Sequence, residues 1–158
     1  MGFLKTTTAA VCGLLLAASL PATAQATHTE APVYDAALAR SLGADERGMR
    51  PYVFVILKTG PKNIEDKAER AKIFEGHFAN MGKLAAEKKL VFAGPLDGKE
   101  GRRGIFVIAT PDIEEAKRYV GTDPVITSGL MEAEYHKLYG SAALMMVNDV
   151  HNKIEKKQ

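Results

Sequence analysis

Few side chains in this sequence suit proton-transfer chemistry, and His77 is the most suggestive of them. It falls between Phe74, Phe78 and Met81 on the face that the spacing predicts to be the inward stripe of a helix. An imidazole buried there needs a polar partner for its nitrogens or incurs a desolvation cost. A carboxylate would meet that need, fix the tautomer and prepare the ring for general acid–base work. The candidate partner is Asp123, which precedes Pro124 at the head of a short turn. An aspartate before proline is also a natural helix N-cap. The two roles are compatible, because a carboxylate has two oxygens. A purely structural, hydrogen-bonded histidine is the competing interpretation of His77.

The other chemistry-bearing residues are less organised. Of the four histidines, His28 and His151 fall in the expected N-terminal arm and C-terminal tail. His136 shares alternate positions with Glu132 and Glu134, so a metal site is geometrically open to them, although a solvated edge-strand face explains the same pattern. There is no HxxxH or HExxH spacing, phosphate loop, nucleophile elbow or dinucleotide fingerprint. No metal or organic cofactor is called for. The stretch Phe92-Ala93-Gly94-Pro95-Leu96 ends a strand in a rigid turn. Its glycine would let backbone approach a pocket, and a plain turn suits it equally.

The elements that must position these residues follow from periodicity. Tyr52 to Leu57 (YVFVIL) predicts a strand with both faces covered, bounded by Pro51 and by Gly60-Pro61. Asn63 is the expected cap of a helix reaching about Lys89, with Asp66 in its first turn. Its inward stripe is Phe74, His77, Phe78, Met81 and Ala85. Leu90 to Ala93 predicts a second strand stopped by Gly94-Pro95, and Gly104 to Ala109 a third. Thr110 then caps a helix with Pro111 at its first position and Ile113, Ala116 and Val120 inward. Leu130 to Leu138 alternates as a half-exposed strand, and residues 141–158 predict a C-terminal helix. A short helix around Tyr34 to Leu42 belongs to an arm over residues 25–50.

The order β-α-β-β-α-β is that of an α+β, ferredoxin-like fold with an antiparallel sheet. The first and third strands are central in such a sheet, and here they are the most apolar. Helices cover one face, so a second copy of the sheet is the economical cover for the other, and a homodimer is expected.

Bulk properties narrow the setting. Lys5, the apolar run Ala9 to Leu20 and small residues near Ala24 match a secretory signal over residues 1–24, which places the mature protein in the periplasm or outside the cell. The apolar run is short for a membrane span. The single cysteine, Cys12, lies in that leader, so thiol chemistry is excluded from the rest. Of 21 basic residues one, Lys5, is in the leader, which leaves a net charge of +1 against 19 acids. That balance is a poor footprint for nucleic acid or a membrane surface.

Taken in order, YVFVIL, FEGHFANMGKLAAEKKL, VFAGPL, GIFVIAT, PDIEEAKRYV and TDPVITSGL resemble the YCII-related (YciI-like) family over about Pro51 to Gly140. The resemblance implies a dimeric α+β barrel arrangement over residues 51–140 and a His–Asp pair in a pocket, here His77 and Asp123. Phe74, Phe78, Phe92, Gly94 and Pro95 are then the expected pocket residues. The family includes a dehydrochlorinase that acts on a chlorinated hydroxyquinol. Two departures stand out: Phe74 replaces an arginine that many relatives carry three residues before the histidine, and many relatives lack an export signal. The implied function is a cofactor-free acid–base enzyme acting on a small cyclic molecule by elimination or isomerisation. A non-catalytic dimeric module binding a ligand or protein is the alternative, and a cofactor-free oxygenase a third.

Overall fold

The computed structural model describes residues 1–2 and 33–156. The expected leader beyond Gly2, Cys12, His28 and the start of the arm lie outside the described residues.

The arm carries α1 (Ala36–Ser41), capped by Asp35, whose carboxylate accepts from the amides of Ala37 and Leu38. Strand β1 (Met49–Thr59) exceeds the expected Tyr52–Leu57 at both ends. It pairs with β4 (Met131–Ser141) along its full length. Its pairing with β3 (Arg102–Ile108) begins only at Val53. Pro51 therefore lies where one side of β1 has no strand neighbour, a position that tolerates a missing N–H.

Helix α2 (Lys67–Ala86) starts later than expected. Asp66, not Asn63, is its cap, accepting the Glu69 amide at 2.7 Å. Strand β2 (Leu90–Pro95) continues through Gly94 and Pro95, which pair with Ile105 and Gly104 rather than stopping it. An outermost strand accommodates the proline. Helix α3 (Ile113–Val120) is capped by Asp112 instead of Thr110. The Thr110 hydroxyl still accepts the Asp112 amide. The short α4 (Pro124–Thr127) follows, and the chain ends in a 3-10 turn (Ala142–Met146) and α5 (Val147–Ile154) in place of one continuous helix.

The sheet order is β2-β3-β1-β4, antiparallel throughout. The fold is α+β and ferredoxin-like, with β1 and β3 central as expected. On the helix side, Val53, Val55, Leu57, Phe106 and Ile108 pack with Leu84, Ala116 and Val120. On the other side Tyr52, Val91 and Val107 form a second cluster, roofed in part by Leu144 and Met145. Phe54, Ile56 and Ile105 on that face are only half-buried.

Candidate functional site

The inward line of α2 differs from the expected stripe. Residues 74, 77, 81 and 84 succeed one another at helical spacing, and His77 and Leu84 are the buried ones. Phe78, one step round the helix from His77, is 64% exposed and forms a rim. His77 is 8% exposed and Asp123 is fully buried.

The two meet. His77 Nδ1 lies 2.7 Å from Asp123 Oδ2. The other carboxylate oxygen, Oδ1, accepts the Val125 amide at 3.1 Å and caps α4. Both readings of Asp123 therefore describe one side chain. Because the carboxylate accepts, Nδ1 carries a proton, and in the neutral ring Nε2 then holds the lone pair. Among the described residues no group hydrogen-bonds Nε2, and the only sealed, unpartnered side-chain atoms are Arg50 Nε and Asn80 Nδ2. Nε2 thus stays open to the cavity that His77 lines.

That cavity, about 300 Å³, lies between α2 and the sheet where β1 and β2 end and β3 and β4 begin. Phe74, Phe78, Gly94 and Pro95 line it, as do Met81, Phe106 and Met131. Its charged or titratable side chains are His77 and Arg103. The His77 ring stacks on Phe106 at 6.0 Å and meets Phe74 edge-on at 6.0 Å. An apolar enclosure of this kind strengthens hydrogen bonds and excludes competing water.

Phe92 is not a lining residue. It borders an adjoining groove that shares Phe78, Met81 and Ala93 with the cavity and runs to Val147 and His151 beside outer strand β2. The cause is an irregularity in the β2–β3 register between Leu90 and Phe92. Leu90 packs in the helix-side core, so simple alternation would turn Phe92 the same way. The bulge instead sets Phe92 opposite Val107, whose side chain belongs to the other face.

Three further residues of the seam gave no sequence signal. A Cβ on Gly76 would lie 2.8 Å from Pro124 Cγ, so glycine permits α4 to seat against α2. One turn beyond His77, Asn80 Oδ1 accepts the Thr122 hydroxyl at 2.9 Å. Gly76 and Asn80 thus hold the Thr122–Pro124 segment on either side of Asp123. Arg103 precedes the expected start of the third strand at Gly104, and the structure places it inside β3, at the cavity. The strand triplet Glu132, Glu134 and His136 is exposed, with Lys58 bridging both glutamates at 3.7 Å. Among the described residues no group of three or more metal-ligating side chains is suitably placed for an ion.

The fold and the seam define a ferredoxin-like α+β protein with a buried histidine–carboxylate pair beside an apolar cavity. The chain belongs to the YCII-related domain family, whose model matches residues 52–136. It is similar to the uncharacterised protein YjpA of Bacillus subtilis (strain 168), with 32% identity over 84 residues, covering 53% of this chain and 88% of that protein. Among solved structures it matches the 5-chloro-2-hydroxyhydroquinone dehydrochlorinase TftG of Burkholderia phenoliruptrix AC1100, in complex with 2,5-dihydroxybenzoquinone. That match has 19% identity and a TM-score of 0.38, covering 54% of this chain and 90% of that one.

Proposed function

We propose that this chain is an exported acid–base enzyme that acts on a small cyclic molecule by elimination or isomerisation, with His77 and Asp123 as its proton-transfer pair. The observation that carries this reading is the 2.7 Å contact between Asp123 and Nδ1 of a histidine whose Nε2 stays open to an apolar cavity.

In that arrangement Nε2 takes a proton from a substrate carbon activated by a neighbouring carbonyl. For elimination, the C–H electron pair becomes the new double bond, and a leaving group on the adjacent carbon departs with its own bonding pair. For isomerisation, the imidazolium returns the proton at another carbon. Asp123 stabilises the imidazolium formed in either case. Phe74 and Phe106 present aromatic surface to a ring and keep water from the transferring proton. No cofactor enters either sequence.

The functional unit is a homodimer in this reading. Half-buried Phe54, Ile56 and Ile105 leave apolar surface on the sheet face away from α2, which a second sheet would cover. Light scattering should give twice the protomer mass. Export is checked by sequencing the N-terminus of secreted or periplasmic material, with cleavage expected near Gln25.

The chemistry is tested by incubating the protein in D2O with a panel of cyclic enones and chlorinated hydroxyquinols and reading deuterium uptake and chloride release. Wild type should exceed His77→Asn by about a hundredfold or more on at least one compound. Ligand binding with no turnover above buffer, in wild type and variant alike, would replace the enzyme with a non-catalytic binding module.

A further inference from the structure

Next to the His77 cavity lies a second one of about 380 Å³, and the two share Phe74, Arg103 and Met131. Its lining includes three cationic side chains, Lys62, Arg70 and Arg103, and no acid. None of the three forms an ion pair among the described residues, although Arg102, next in the chain, pairs with Glu100.

The two arginine side chains are held from behind, and the lysine is fixed through its backbone. Arg103 Nε donates to Thr59 Oγ1 at 2.8 Å. Arg70 donates to the Ile64 carbonyl and lies over the Phe74 ring at 6.0 Å. The Lys62 amide donates to the Gly129 carbonyl at 3.0 Å. This tight approach depends on Gly60, where a Cβ would come within 2.3 Å of the same carbonyl oxygen. Three like charges gathered without a counterion repel one another, and an anion relieves that repulsion.

From this geometry we infer that the second cavity is an anion-binding vestibule of the active site, and that the substrate is a ring bearing a carboxylate. The inference rests on a ring substrate occupying the His77 cavity. Arg103 is the specificity-determining residue, because it lines both spaces. With Nε committed to Thr59, its terminal nitrogens remain as donors in the planar geometry that a carboxylate accepts. Lys62 and Arg70 add positive charge beyond it. The ring then lies against Phe74 and the anion points away from His77 toward the basic wall.

The test uses two probes of equal size, benzoate and its neutral counterpart benzamide, titrated calorimetrically into the full chain at low salt. Benzoate should bind roughly tenfold more tightly than benzamide. Arg103→Gln should reduce that ratio to about twofold, and Lys62→Gln should lower it less, with both melting temperatures close to wild type. The side-chain 15N resonances of His77 should move when benzoate binds. Equal affinities for the two probes, or a ratio unchanged in both variants, would overturn the inference. So would benzoate binding that leaves the His77 resonances unmoved, because the vestibule would then be separate from the site. Charge discrimination through Arg103 without proton exchange on any ring compound would retain the anion site and remove the enzyme.

Discussion

Among the described residues, two of the histidine–carboxylate contacts have nearly the same length in opposite surroundings. At the seam of α2 and α4, His77 meets Asp123 at 2.7 Å with the carboxylate sealed from solvent. On outer strand β4, His136 meets Glu134 at 2.8 Å with both side chains about half exposed, 48% and 47%. Distance therefore does not distinguish them. At the seam, the carboxylate comes from a residue 46 positions away and is fixed by capping α4, and the free ring nitrogen adjoins a cavity. On β4, the partner is two residues along the same strand, Lys58 competes for it, and water screens the pair. A contact becomes a candidate site through what immobilises it and what lies beside it.

The sharpest way to break this contrast is to remove each ring in turn. His77→Asn keeps a donor for Asp123 and removes the base, so turnover should fall by about a hundredfold or more. His136→Gln should stay within about twofold of wild type. Equal effects on turnover of the proposed substrates would erase the distinction. The carboxylates should separate in stability. Asp123→Ala removes a cap and leaves His77 buried without its partner, and should cost on the order of 3 kcal/mol in chemical denaturation. Glu134→Gln should cost about 0.5 kcal/mol or less.

A finer test compares two glycines of α2. A methyl at Gly76 meets Pro124 Cγ at 2.8 Å, whereas a methyl at Gly82 meets no atom within 4 Å. Alanine improves helix propensity by about 1 kcal/mol at either position. Gly82→Ala should therefore raise the melting temperature and leave turnover unchanged. Gly76→Ala should displace α4, lengthen the His77–Asp123 contact and lower turnover about tenfold, because small misplacements of catalytic groups are costly. Identical kinetics in the two variants would show that α4 need not seat tightly for the pair to act.

The parts of this architecture that were legible from sequence are those written in short-range patterns. The apolar run of β1, the alternation of β4 and the polar residue inside an apolar stripe at His77 each need only a few neighbours to read. Asp123 was legible because a cap before proline has a local signature. Boundaries were less so. Asn63 and Asp66, like Thr110 and Asp112, are rival caps within a few residues, and the one chosen is set by how the helix lies on the core. Phe92 was misread because one bulge inverts every later side chain of a strand. Gly76, Asn80 and Arg103 gave no signal at all, since their roles arise from contacts with Pro124, Thr122 and Thr59, each more than 40 positions away.

The smallest expected effect belongs to the exposed region, where the β4 side chain Tyr139 donates to Asp45 and ties the arm to the sheet. That hydroxyl, with the Met49 amide, holds the Asp45 carboxyl below the usual 3.8 of an aspartate. A group with a depressed folded pKa contributes stability that is fully present above its unfolded value and is lost as pH falls through the folded one. The same contact raises Tyr139 above its ordinary 10.0, so its share is present below that value and lost as pH rises through the elevated one. Between these limits the tie is intact. Asp45→Asn should flatten the decline in stability on acidification below about pH 4 without altering turnover at neutral pH. Denaturation midpoints measured from pH 7 down to 2 would show it. If wild type and variant ran parallel over that range, the exposed contact would contribute nothing, and only the enclosed pair would remain as an energetically meaningful carboxylate contact in the comparison.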